Sequence, residues 1–265
     1  MVDLTEGLQE KKTLFWHALI DETLSFLPKA LEFKSADQFQ SFLVKELPQN
    51  SEYVRSMYAG IITNRFFSQG RPFRPLAQFI GCFGGDSAES KEVLFFELLL
   101  REPSLRDVCK EFFSKRVGGE ATRREVEGFL IQSRGTSGEM GTLKKSVKKQ
   151  AKMIVHVLIR LDRIEVKKRG FYNVKSKKPT LPVFLYVLHR LYPKLGMYKA
   201  EEFLNDGLLD ALMWNRSGLK DLLYEAWRKK YLAKVSEIDQ YFHFSTRHSL
   251  TEFMERVKNE DTTDM

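Results

Sequence analysis

The sequence predicts a mainly α-helical protein: a helical N-terminal bundle, a central winged helix-turn-helix with a short β-hairpin, and a helical C-terminal region. Three observations support this fold class. Helix-capping patterns recur along the chain, whereas strand patterns are scarce. Apolar residues repeat at steps of three and four in many segments, which is typical of amphipathic helices. One pair of short strand-like runs, near residue 170, stands apart from this helical pattern.

The composition permits a large hydrophobic core. The chain has 265 residues, of which 43% are hydrophobic and 21 are Phe. This length suits one large domain or two to three small ones. The two cysteines, Cys82 and Cys109, have no metal-ligand spacing, and so few cysteines are typical of a reducing compartment. No internal repeat of about 20 to 50 residues is visible in the sequence.

Neither a signal peptide nor a membrane helix is predicted. Residues 1–12 include three acidic residues before any apolar run. The most apolar runs, 93–100 and 181–191, are interrupted by charged or polar residues and fall short of the roughly 20 residues that a membrane helix needs. We therefore expect a cytoplasmic protein that does not bind membranes.

The N-terminal bundle is predicted to span residues 1–101. The segment 35–38 resembles a capping box, and the helix after it is predicted to stop at Pro48. Ser51 is predicted to begin the next helix. A second capping signal at 86–89 precedes 93–101, which is apolar almost all round and is therefore expected at the centre of a core.

The central unit is predicted to span residues 102–178. Residues 104–115 are predicted as its first helix and 122–133 as its second, which begins with a capping box formed by Thr122 and Glu125. A glycine-rich connection, 135–141, leads to a long third helix over about 142–161. Two strand-like runs, 164–166 and 171–174, follow it, and Gly170 supplies the positive φ that a tight hairpin requires.

The third helix is predicted to bury one face and to expose lysines on the other. Its apolar residues lie at steps of four and three and form one stripe: Leu143, Val147, Ala151, Ile154, Leu158 and Leu161. Ser146 and Gln150 are expected on the open face with the lysines. Because recognition helices contact nucleic acid mainly through their N-terminal residues, this arrangement suits a helix that lies in a groove.

Positive charge is concentrated in one segment. The whole chain has a net charge of +8, but residues 142–178 contain 13 Lys and Arg against Asp162 and Glu165, which gives +11. The rest of the chain therefore sums to −3. So dense a patch attracts a polyanion and releases its counterions.

The predicted partner is double-stranded DNA, and nine residues of the basic segment are the candidate contacts. Those on the helix, the hairpin tip and the segment after it are Lys144, Lys145, Lys148, Lys149, Lys152, Lys167, Lys168, Arg169 and Lys175. They would contact phosphates or, from the hairpin, a minor groove. Two alternatives use the same patch: a helical adaptor that binds an acidic protein, and an RNA-binding helical module.

No catalytic, cofactor or metal site is predicted. Asp162, Glu165 and Lys167 superficially resemble part of a metal-dependent nuclease motif, but the two carboxylates are too close in sequence for such a site. His243 and His248 have no Cys or carboxylate at ligand spacing. We therefore expect a protein that is not an enzyme and has no small-molecule substrate.

Residues 179–265 are predicted to form the helical C-terminal region. Its predicted helices are 184–192, a helix from 200 to 206 or beyond, 219–231 and 250–258. Tyr224, Trp214 and Trp227 lie there among basic residues. Packing within the region is the simpler interpretation of these aromatic residues, and contact with RNA or a protein partner is the alternative.

Several stretches taken together resemble a known family. They are YAGIITNRFF (58–67), LFFELLLREP (94–103), LRDVCKEFF (105–113), TLKKSVKKQAKMI (142–154) and LIRLDRI (158–164). Their order is similar to that in the small helical BrxA-type component of BREX phage-defence systems, over roughly residues 53–174. The resemblance implies a helical bundle followed by a winged helix that binds DNA without known enzymatic activity, with other phage-defence proteins as further partners.

Overall fold

The computed structural model describes residues 18–68, 71–133, 140–238 and 241–261. Over these ranges the protein is mainly helical, with a hairpin of two-residue strands and two small three-stranded antiparallel sheets. No helix within these ranges combines the length and the apolar character that crossing a membrane requires.

The N-terminal part is a bundle built around one buried helix. Its helices are α1 (Ile20–Phe26), α2 (Ala36–Glu46), α3 (Glu52–Phe66), α4 (Arg74–Phe83) and α5 (Ala88–Arg101). A short hairpin of β1 (Phe67–Ser68) and β2 (Arg71–Pro72) joins α3 to α4. Every residue from Val93 to Leu99 is buried, which confirms the prediction that this segment lies at the centre of a core.

Both capping signals of the bundle lie at helix starts, but the second is displaced by one residue. Ser35 caps α2 by accepting a hydrogen bond from the backbone N–H of Gln38, as predicted. The cap of α5 is Ser87, whose side chain accepts from the Ser90 N–H at 3.0 Å, so the prediction that the signal begins at Asp86 was wrong. The extended backbone of Ser87 directs its hydroxyl at the open N–H groups of the first turn.

The central unit follows directly and contains the predicted three helices and hairpin. Its elements are α6 (Pro103–Val108), β3 (Glu120–Thr122), α7 (Arg123–Ser133), α8 (Met140–Arg160), β4 (Ile164–Lys168) and β5 (Phe171–Val174). A π turn over Cys109–Phe113 and a 3-10 turn over Ser114–Arg116 extend α6. The sheet is antiparallel with the order β3-β5-β4. Strand β3 was not predicted, because three residues form a strand only through pairing with β5.

The C-terminal part differs from the prediction of helices alone. Its elements are α9 (Leu181–Leu191), β6 (Met197–Lys199), α10 (Ala200–Leu204), α11 (Gly207–Ala211), α12 (Leu219–Arg228), β7 (Leu232–Ile238), β8 (Tyr241–Thr246) and α13 (Leu250–Asp261). Strands β6, β8 and β7 form a second antiparallel sheet in that order. The hairpin was missed because its alternation is incomplete. Leu232, Val235 and Phe244 are buried, but a register shift between residues 232 and 234 interrupts the pattern.

The central and C-terminal parts share one order of elements. Each runs helix, strand, two helical segments, then two strands of a hairpin, and in each sheet the first strand pairs with the last. In the C-terminal part, α10 and α11 together take the place of α7, and α12 takes the place of α8. The two copies span about 70 residues each, so the chain repeats an order of elements and of strands without a visible repeat of sequence.

Candidate nucleic-acid interface

Helix α8 separates an apolar face from a lysine-rich face. The described members of the predicted apolar stripe are all buried, with at most 2% of each residue exposed: Val147, Ala151, Ile154, Leu158 and Leu161. The side chain of Leu143 lies outside the described residues. The stripe packs against α7 and β4, and this packing fixes which face of α8 remains open to solvent.

Four of the five candidate lysines on α8 are exposed. They are Lys145, Lys148, Lys149 and Lys152, and the side chain of Lys144 lies outside the described residues. Lys145, Lys148, Lys149 and Lys152 follow one another at steps of three, one and three, so they share one side of the helix. The N-terminal half of α8 therefore presents a compact group of cations opposite its buried stripe.

Gln150 does not belong to this open face, contrary to the sequence prediction. It is only 5% exposed, and Ser146 is half-buried. The reason is the helical repeat: Gln150 lies three residues after Val147 and four before Ile154, which places it within the buried arc. The open face of α8 is therefore narrower and richer in lysine than the sequence suggested.

The hairpin of β4 and β5 projects basic residues beside α8. Gly170 has a φ of +80° at the turn, as predicted. Lys167, Lys168 and Arg169 are all exposed. Strand β4 reaches Lys168, so Arg169 and Gly170 alone form the turn. The connection between the strands is therefore two residues shorter than the predicted one, 167–170.

Two of the hairpin cations have partners in the protein. The ammonium of Lys167 forms an ion pair with Glu120 on β3, and this hydrogen bond lowers the pKa of the Glu120 carboxyl. The ammonium of Lys168 lies 4.4 Å from the ring centroid of Phe171. Such exposed pairs contribute little to stability.

Lys175, the last candidate contact, is held by an acidic residue. Its ammonium lies 2.5 Å from Asp162, and Lys177 pairs with the other oxygen of the same carboxylate. Partial burial opposes the ionisation of Asp162, but hydrogen bonds from the two lysines outweigh it and lower the pKa of the carboxyl. The hydrogen bond to Asp162 raises the pKa of Lys175, so the cluster keeps one net positive charge.

Two arginines counted in the basic segment do not add to its open surface charge. Arg160 forms an ion pair with Asp21 on α1. Arg163 is fully buried, its guanidinium lies 2.7 Å from Glu92, and its Nη1 donates to the backbone oxygen of Leu212 at 3.0 Å. Sequence reasoning missed this role, because Asp162 and Glu165 beside Arg163 are typical of an exposed segment.

The residues considered for a metal or nuclease site lie in different settings. Asp162 faces Lys175 and Lys177, whereas Glu165 and Lys167 are exposed on β4. Among the residues that the structure describes, no three His, Cys, Asp or Glu side chains are grouped so that they could hold a metal ion.

Comparison with known proteins identifies similar structures but no family. No protein-family model matches the chain, and a comparison with curated proteins finds no match. One similar solved structure is a magnesium ion-bound SspB crystal structure, with a TM-score of 0.57 and 12% sequence identity, covering 99% of this chain and 90% of that one. A second SspB crystal structure has a TM-score of 0.55 and 12% identity, covering 95% and 90%. At this identity the similarity extends to the fold alone.

Proposed function

We propose that this protein binds duplex DNA through α8 and the β4–β5 hairpin, without catalysing a reaction, as a component of a BREX-type phage-defence system. The observation that supports DNA binding best is the group of exposed lysines on the open face of α8: Lys145, Lys148, Lys149 and Lys152. Their charges lie opposite a buried stripe, so the fold holds them on one side of the molecule.

The order of elements supports the same proposal. Helix, strand, helix, helix and hairpin, with the first strand paired to the last, is the order of a winged helix, in which α8 would be the recognition helix and the hairpin the wing. A recognition helix lies in the major groove and is anchored by phosphate contacts from neighbouring elements. The exposed residues Lys168 and Arg169 would make such contacts from the hairpin.

Charge reversal on α8 tests the proposal. The double variant Lys145→Glu and Lys149→Glu should lose binding to a duplex of about 30 base pairs, because it replaces two phosphate contacts with repulsion. Each lost contact should also reduce the slope of log affinity against log salt concentration by about one unit. Its fold should persist, since both side chains are exposed. A matched control, Lys34→Glu with Lys45→Glu, makes the same change in net charge at exposed positions of the N-terminal bundle.

The outcomes distinguish the proposal from its alternatives. The wild-type protein should shift the duplex at roughly micromolar concentrations in about 50 mM salt and bind more weakly in about 200 mM salt. No shift by folded protein at the lower salt would contradict DNA binding. Equal losses in the two double variants would mean that net charge alone determines binding. Tighter binding to double-stranded RNA than to DNA would favour the RNA-binding alternative.

The link to phage defence rests on the sequence resemblance, and the genomic neighbourhood tests it. The resemblance implies neighbouring genes for a giant ATPase, a methyltransferase and an alkaline-phosphatase-like protein. Neighbours of unrelated function would contradict this part of the proposal and would leave the DNA-binding part unchanged.

A further inference from the structure

The C-terminal copy of the repeated arrangement places α12 where the central copy has α8. Helix α8 follows α7, helix α12 follows α10 and α11, and each directly precedes the hairpin of its unit. Like α8, α12 has one buried face, formed by Leu219, Leu222, Leu223 and Ala226. A helix in this position of a winged helix is the one that meets nucleic acid.

The open face of α12 differs from that of α8 because it contains aromatic rings. Lys220, Tyr224, Trp227 and Arg228 are exposed at steps of four, three and one, so they share one side of the helix. Trp227 is 44% exposed and Tyr224 is 37% exposed, which is unusual for side chains of this size. Proteins that bind single-stranded nucleic acid stack its bases on exposed aromatic residues among cations.

The charge around these rings is positive. The segment 214–231 contains Arg216, Lys220, Arg228, Lys229 and Lys230 against Asp221 and Glu225, a net charge of +3. The Glu225 carboxylate lies 3.0 Å from the ammonium of Lys229, and Arg216 pairs with Asp210 just outside the segment, so the net charge is +2 when Asp210 is included. A phosphate backbone that follows α12 would therefore meet mainly cations.

The basic segment of the central unit continues directly to the start of α12. The backbone of Lys177 pairs with the loop before α12: its N–H donates to Met213 and its oxygen accepts from Asn215 at 2.7 Å. Gly218 is the N-cap of α12, and the Cε atom of Lys178 lies 3.8 Å from the position that a Cβ would take at Gly218. Lys177 and Lys178, the last cations of the basic segment, therefore lie beside the start of α12.

We infer that α12 is a second nucleic-acid contact, which stacks unpaired bases on Tyr224 and Trp227 while the adjoining duplex lies on α8 and the β4–β5 hairpin. The inference rests on the proposed DNA-binding function. Unpaired bases fit this face better than duplex does, because bases inside a helix present only their edges to a protein. The ligand class is therefore DNA in which a single-stranded stretch adjoins a duplex.

The test compares one duplex with and without a single-stranded extension. Fluorescence anisotropy measures the affinity of the full chain for a blunt duplex of about 30 base pairs and for the same duplex with an extension of about 10 nucleotides on either strand. The extended DNA should bind about tenfold more tightly, as expected from stacking of one or two bases. The variant Tyr224→Ala with Trp227→Ala should remove this gain and leave the affinity for blunt duplex within about twofold.

A matched control uses an exposed aromatic residue outside both surfaces. Tyr53 on α3 is 79% exposed, and Tyr53→Ala should keep the full gain. If wild-type protein binds blunt and extended DNA equally, the inference is wrong and the proposed function stands. If blunt duplex is not bound, the proposed function is wrong. In that case the affinity for a single-stranded oligonucleotide tests the inference. Weaker binding by the Tyr224→Ala, Trp227→Ala variant than by wild type supports it, and equal binding contradicts it.

Discussion

Arg163 connects three parts of the chain that are distant in sequence. Its buried guanidinium pairs with Glu92 on α5, donates to the oxygen of Leu212 after α11 and lies 4.4 Å from the ring centroid of Phe95. Glu92 also accepts a hydrogen bond from the indole of Trp214. The ion pair links the N-terminal bundle to the start of the hairpin, and the hydrogen bonds of its two members extend the link to the C-terminal unit.

Removal of Glu92 should destabilise the protein strongly. Glu92→Ala leaves the Arg163 charge buried without its carboxylate, and breaking a buried ion pair in this way costs about 3–5 kcal/mol. The control Asp21→Ala breaks the exposed pair with Arg160, which should cost about 0–1 kcal/mol. Urea denaturation followed by circular dichroism measures both. Similar small losses in the two variants would show that the buried pair contributes little.

At the scale of elements, the start of α7 and the turn of the hairpin support each other. Thr122 and Glu125 form the predicted capping box, since the Thr122 N–H donates to Glu125 at 2.7 Å and the Glu125 N–H donates to the Thr122 hydroxyl at 3.2 Å. The oxygen of Gly170 accepts from the N–H of Arg123 at 3.1 Å. The conformation of the turn therefore also satisfies a donor in the first turn of a helix.

Replacing either of two glycines of this region with alanine should change the stability of the protein, in opposite directions. A Cβ would meet nothing within 4 Å at either Gly170 or Gly128. At Gly170 the φ of +80° is unfavourable for alanine, so Gly170→Ala should destabilise the protein by about 1–2 kcal/mol. Gly128 lies inside α7, where Gly128→Ala should stabilise it by about 0.5–1 kcal/mol. Thermal unfolding measures both, and changes of the same sign would contradict the explanation.

Across the whole molecule, the two copies of the repeated arrangement are joined rather than independent. Arg163 of the central unit pairs with Glu92 before the unit and donates to the oxygen of Leu212 after it. Lys177 pairs with the loop before α12, and Lys110 in the π turn packs closely against Gly207 at the start of α11. These contacts join the central unit to the C-terminal unit.

A fragment with the predicted boundaries of the central unit, 102–178, should therefore not fold by itself. It would keep Arg163 but lose both of its polar partners, which leaves an uncompensated charge in the core. Thermal unfolding followed by circular dichroism should show one cooperative transition for the full chain and none for the fragment. A cooperative transition of the fragment near the full-chain melting temperature would show that the unit is independent.

The sequence by itself determined the features that depend on local periodicity. The bounds of α8 agree with the prediction to within two residues, the stripe from Val147 to Leu161 is buried, and Gly170 forms the turn. These follow from the 3.6-residue helical repeat and from the backbone freedom of glycine, both of which can be recognised in a single segment.

Only the tertiary structure decided which charges stay on the surface and where the short strands form. Arg163 and the lysines 144–152 are all cations in sequence, but Glu92 draws Arg163 into the core, 71 positions away in the chain. Strands β3 and β6 have three residues each and exist through pairing with β5 and β8. Such pairings depend on residues far apart along the chain, whereas sequence patterns report periodicity within a single segment.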